Sequence, residues 1–184
     1  MMTQKQSPGF VVALCGIMSG LALVMMFVLG MIPAFEYISP AVAGVLIWII
    51  REQLGIKYGL TSYLAVGILS FMITVNYEAS MMYLLLLGYY PIAREYFQKI
   101  PVKILRLPAK LALYAVSAVA AYTLLIHLFG MAELLESIGE FGKYGSLILL
   151  GMGAGAFLMY DISLGTLAPV YTKLIKPKIK KRMR

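Results

Sequence analysis

Phe10 to Ile32 runs without a single charged residue, and this stretch limits what the chain can be more than any other. As an α-helix it covers roughly 30 Å, about one bilayer core. Pro33 ends it, and the elbow that follows carries Glu36 and Tyr37 before Ser39-Pro40, which reads as an N-cap and first helical position of the next helix. A polar elbow between two apolar spans finds no partners in lipid, so it lines an aqueous mouth or packs in protein. The span is too long for the apolar core of a signal peptide and no small-residue cleavage site follows it, so it reads as a mature helix.

Of the 184 residues 61% are hydrophobic and 13% charged, more apolar surface than a soluble domain of this length can hide. The expected fold is an all-α integral membrane bundle of six transmembrane helices over residues 1–172, followed by a basic tail at 173–184. Apolar runs place the spans at about 10–32, 40–53, 58–75, 79–97, 108–129 and 144–170. Pro91 is expected to kink the fourth span. The charged stretch from Arg94 to Lys110, which holds Pro101 and Pro108, reads as a connector or an interfacial helix.

Charge sets the orientation. With both termini inside, every lysine and arginine except Lys143 falls on the cytoplasmic side, as the positive-inside rule requires. Five of the eight acids go the other way: Glu36, Glu78, Glu133, Glu136 and Glu140 lie outside. The net charge of +8 therefore reports topology. It does not point to nucleic acid, since no basic patch interleaves with aromatics in a soluble segment.

No catalytic pattern survives inspection, and no enzyme activity is expected. Gly151-Met152-Gly153-Ala154-Gly155 superficially matches a dinucleotide loop, but it has no preceding strand and its glycines suit close helix packing. There is no P-loop, HExxH or GxSxG motif. Cys15 is the only cysteine and His127 the only histidine, so neither a disulfide nor a His-rich metal site forms within one chain. No cofactor or metal is expected.

Three groups of residues carry functional readings. On the first span Gly9, Ala13, Gly16 and Gly20 share an arc of about 60°, with Cys15, Ser19 and Ala22 beside it. Small residues let another backbone approach closely, either within this bundle or on a partner's helices. Asp161 is the one acid well inside a span, on a face shared with Gly151, Ala154 and Gly165. It reads as half of an ion pair or hydrogen-bonded network with Arg94, Arg51 or a tyrosine, or alternatively as part of a proton relay. At the outer ends Glu36, Tyr37, Asn76, Tyr77, Glu78, His127 and Glu133 converge, with Tyr63 and Tyr83 deeper. Carboxylates and tyrosine faces suit a small ligand with cationic or donor groups and a planar ring. The rival reading is an aromatic belt with ordinary solvated acids.

The layout of six spans in a short chain, with both ends inside, resembles the substrate-binding S component of energy-coupling factor transporters. Ala13-Leu14-Cys15-Gly16-Ile17-Met18-Ser19-Gly20 is similar to the small-xxx-small stretch by which such proteins dock their transmembrane coupling subunit, and the Pro33 to Pro40 elbow follows it. The resemblance implies a prokaryotic plasma-membrane protein that captures a vitamin-like solute from outside. Transport would need the coupling subunit and two cytoplasmic ATPase subunits. It also implies ligand residues in the first elbow and the outer parts of later spans, where Glu36, Tyr37, Asn76, Tyr77, Glu78, Tyr83, His127 and Glu133 are the candidates, with Ala13, Gly16 and Gly20 for docking. The chain begins Met1-Met2-Thr3, without the N-terminal histidine of nickel or cobalt versions, which argues against a metal substrate. The alternative is a membrane scaffold or assembly protein that works by lateral contacts and has no solute.

Overall fold

The computed structural model describes residues 7–33, 35–74, 76–129, 144–171 and 173. All the regular structure among them is helical. Among the described residues four helices are long and apolar enough to cross a bilayer: Pro8–Gly30, Ile56–Ile73, Ile104–His127 and Leu147–Val170. This is the framework of a multi-pass membrane protein, in which each helix satisfies its own backbone. The chain divides into two compact units, Met1–Lys103 and Ile104–Arg184.

In the first unit α1 (Pro8–Gly30) opens on a proline, whose missing N–H has no intrahelical partner at that position in any case. Helix α2 (Ser39–Leu54) follows the elbow, and α3 (Ile56–Ile73) follows α2 after one residue, Gly55. Gly55 has φ +100°, a conformation that a side chain would strain, and it allows the chain to reverse in so short a space. Next come α4 (Tyr77–Met82), a π-helical turn at Tyr83–Leu87 and α5 (Tyr90–Gln98).

Helix α2 is the centre of this unit, touching α1, α3, α4, the π turn and α5. Its buried residues Pro40, Ala43, Gly44, Ile47 and Trp48 recur at helical spacing. Against them pack Ala22 and Met26 of α1, Tyr63 and Val66 of α3, Tyr83 of the π turn and Ile92 of α5. Lipid is as apolar as these side chains, so it is close fit rather than hydrophobic transfer that holds the helices together. The small residues Ala22, Ala43 and Gly44 let the backbones approach.

The all-helical framework with membrane-length helices agrees with the sequence expectation, and individual elements differ from it. Ser39 is the first helical residue of α2 rather than its N-cap, and its hydroxyl donates to the Glu36 carbonyl at 2.8 Å. The fourth apolar run is interrupted at Gly88–Tyr89, not kinked at Pro91. There the Gly88 N–H bonds the Tyr83 carbonyl five residues back, and Pro91 sits at the start of α5, where proline favours a new helix. The expected long connector from Arg94 is also shorter, because α5 runs to Gln98 and the next helix begins at Lys103.

The second unit holds α6 (Lys103–Phe129) and α7 (Gly145–Val170). Pro108 lies inside α6, where it leaves the Ile104 carbonyl without its helical donor. Ile104 is 85% exposed, so that carbonyl sits in the outermost turn, where headgroups or water can serve it. The two helices run antiparallel: Lys110 meets Asp161, while Tyr114, one turn later, stacks on Phe157 and donates to the Leu150 carbonyl at 3.2 Å. Gly153 makes room for this, since a Cβ there would collide with the Tyr114 hydroxyl.

Candidate functional site

The elbow after α1 and the N-terminus of α4 meet at one end of the first unit. Asn76 caps α4, its Oδ1 accepting the Ala79 N–H at 2.9 Å. Capping fixes the side chain so that its Nδ2 donates to Glu36 Oε2 at 2.7 Å. One residue further along the elbow and two further along the other segment the pattern repeats, with the Tyr37 hydroxyl donating to Glu78 Oε2 at 3.1 Å. Two carboxylates from segments forty residues apart are thus held side by side, each by one neutral donor from the other segment. Beneath them lies a ladder of hydroxyls. Thr74 and Ser80 share a 2.7 Å hydrogen bond, Thr74 donates to the Ser70 carbonyl at 2.7 Å, and Ser80 Oγ lies 3.2 Å from the Asn76 carbonyl.

Electrostatics follow from this placement. Burial pushes the Glu78 carboxyl above its ordinary range; the Tyr37 hydrogen bond opposes the shift, and the negative charge of Glu36 adds to it. Glu36 and Glu78 are half-buried and Tyr37 is 51% exposed, so the pair is reached from outside the fold. Two neighbouring carboxylates, each with spare lone pairs, favour a cation or an amine. Among the described residues no three His, Cys, Asp or Glu side chains converge as metal ligands.

Of the other expected site residues in the first unit, Tyr77 stands between Asn76 and Glu78 in the chain and Tyr83 lies deeper. Tyr77 is in the first turn of α4 and 42% exposed. Tyr83 does not join the carboxylates: it has no exposed surface and its hydroxyl donates to the Tyr63 carbonyl at 3.4 Å. Tyr63 in turn donates to the Leu84 carbonyl in the π turn, with its ring 5.7 Å from that of Tyr83. His127 is exposed near the end of α6 in the second unit. Glu133 lies outside the described residues, as do Glu136, Glu140 and Lys143.

Ala13, Gly16 and Gly20 lie on an exposed face of α1, and among the described residues nothing stands within 4 Å of a Cβ built on either glycine. Asp161 is paired within the second unit. Its Oδ2 accepts from Lys110 Nζ at 2.6 Å, both side chains being under 15% exposed. Arg51 serves instead in the first unit, where it grips Glu95 through two hydrogen bonds and Glu52 at 2.9 Å. Neither pairing was legible in the sequence, because each depends on how two helices are rotated about their axes. The hydroxyl ladder did leave a signal, the Ser70/Thr74 and Asn76/Ser80 pairs at i, i+4 spacing.

Comparison with protein-family models, with curated proteins and with solved structures finds no match to this chain.

Proposed function

We propose that the chain is a membrane-embedded solute-binding subunit of the energy-coupling factor type, taking a small cationic or amine-bearing molecule from outside a prokaryotic cell. In this reading there are six crossings. Helix α2 and the broken path α4–π turn–α5 add two to the four long helices, and both termini are cytoplasmic by the distribution of lysine and arginine. The observation that carries the reading is the side-by-side placement of Glu36 and Glu78 with Tyr37 and Asn76, at the end of the first unit where two elbows meet. Uptake would be driven by a transmembrane coupling subunit and two cytoplasmic ATPase subunits, with no chemistry in this chain.

The open α1 face with Gly16 and Gly20 fits docking of such a coupling subunit. It fits equally a scaffold that works by lateral contacts, so the solute decides between the two readings. Native mass spectrometry of the gently extracted protein is the test. The expected result is a retained small molecule that is lost in the Glu36→Gln/Glu78→Gln double variant. A protein that carries partner chains but never a small molecule would overturn the solute reading in favour of the scaffold.

A further inference from the structure

At the end of the first unit away from the elbows, Arg51 is the hub of three segments. It sits roughly 18 Å along α2 from Ser39. Its guanidinium takes both oxygens of Glu95 on α5 and Oε1 of Glu52, and its side chain is only 14% exposed. Helix α3 closes in on it at Gly59, where a Cβ would stand 2.6 Å from the Arg51 Cβ.

Two lysine–tyrosine pairs flank this hub. Lys57 and Tyr58 lie in the first turn of α3, just before Gly59, and Tyr96 and Lys99 follow Glu95 at the end of α5. All four are exposed, and Lys99 Nζ lies 5.2 Å from the centre of the Tyr96 ring. Exposed apolar residues stand beside each pair, Ile56 at 43% and Val102 at 47%.

The acids that would ordinarily neutralise these lysines are occupied. Glu95 and Lys99 are four apart and would pair on a simple helix surface, but both Glu95 oxygens are turned onto Arg51. Glu52, the acid nearest Lys57 in the chain, is held there too. Among the described residues no carboxylate lies within 4.0 Å of Lys57 or Lys99. Counting Arg51, Lys57, Arg94 and Lys99 against Glu52 and Glu95, this end carries two more cations than anions. Arg51 thus turns the negative charge inward and leaves the positive charge facing out.

We infer that this face binds anionic phospholipid, with Lys57 and Lys99 on the headgroup phosphates and Tyr58, Tyr96, Ile56 and Val102 at the boundary with the acyl chains. A water-soluble anion would use the lysines but leave the rings and apolar side chains beside them without a role. Tyrosine at headgroup level and lysine against a negative leaflet are the chemistry expected of a lipid contact. The inference stands on the membrane location and does not depend on any solute.

The test places a reporter at the face. Trp48 is the only tryptophan, so a Trp48→Phe/Tyr96→Trp protein reports lipid at position 96 alone. It is reconstituted in mixed vesicles of phosphatidylcholine and phosphatidylglycerol in which one lipid or the other carries brominated chains that quench tryptophan. Each lysine should favour the anionic lipid by about fivefold. Brominated phosphatidylglycerol should therefore quench more than brominated phosphatidylcholine at equal mole fraction. Lys57→Gln/Lys99→Gln should abolish the difference, and Arg51→Gln, which releases two glutamates, should reduce it. Equal quenching by the two lipids in the reporter protein would overturn the inference, as would a preference unchanged by the lysine double variant. Both lysines are exposed, so that variant keeps its fold, which far-UV circular dichroism checks.

Discussion

The half-buried carboxyl of Glu78 holds its proton more tightly in the folded protein than in the unfolded chain, because burial outweighs the Tyr37 hydrogen bond and Glu36 adds repulsion. The sign of its contribution to stability follows. The stability it supplies is fully present below its ordinary value of 4.5 and is lost as the pH rises through the higher folded-state value. Gln at this position keeps an acceptor for the Tyr37 hydroxyl and carries no charge. Glu78→Gln is therefore expected to melt higher than the parent at pH 7 in detergent, with the gap closing by pH 4. A gap that widened on acidification would contradict the account. The Lys110–Asp161 pair behaves oppositely to single replacement, since each charge is nearly buried and depends on the other. Asp161→Asn should cost about 3–5 kcal/mol by leaving the ammonium uncompensated, whereas Lys110→Met/Asp161→Leu should recover most of that loss. Thermal unfolding of the single and double variants measures both.

Among the elements, the fourth apolar run shows best what a sequence displays and what it hides. Its length and composition are those of one crossing, yet the chain makes it from a six-residue helix, a π turn and a second helix. Pro91 is visible in the sequence, but whether a proline bends a helix or begins one depends on whether the ladder is already broken ahead of it. Here Gly88 breaks it, packed so closely that a Cβ would lie 2.7 Å from the Tyr83 carbonyl oxygen. Gly67 on α3 is also tight, but its neighbour at 2.6 Å is the tip of the Leu84 side chain, which can rotate away. Gly88→Ala is therefore expected to destabilise by about 1–3 kcal/mol and Gly67→Ala by clearly less. Equal losses in melting temperature would show that side-chain freedom does not distinguish the two sites. The start of α6 at Lys103 was hidden for a related reason: Pro108 reads as a helix boundary, but its lost hydrogen bond falls on an outermost turn that tolerates it.

For the molecule as a whole, the alternation of apolar runs and charged elbows was legible, because a bilayer makes span length and loop charge decisive. It placed Glu36, Tyr37, Asn76 and Glu78 at one end, where they meet. The partners of Asp161 and Arg51 were not legible, nor was the burial of Tyr83 away from the carboxylates, since span patterns fix depth but not which face of a helix meets which neighbour. Depth itself can be tested. In a Cys15→Ser background, a cysteine at Tyr37 should react with a membrane-impermeant maleimide added to intact cells. A cysteine at Lys57, in the first turn of α3 beside the opposite end of α2, should react only after the cells are opened. Labelling of both from the same side would refute the alternation.

The π turn at Tyr83–Leu87 has a consequence for which way the chain faces beyond it. Widening the ladder from four residues to five accommodates one residue more than a regular helix would hold, and each residue advances the helical phase by about 100°. Shortening this turn by one residue would swing the downstream helix by that angle and carry Glu95 out of reach of Arg51. The five residues of the turn therefore act as a gasket between two ends of the unit that need different facings, and the chain's aim at one end is set by a single surplus residue at its middle.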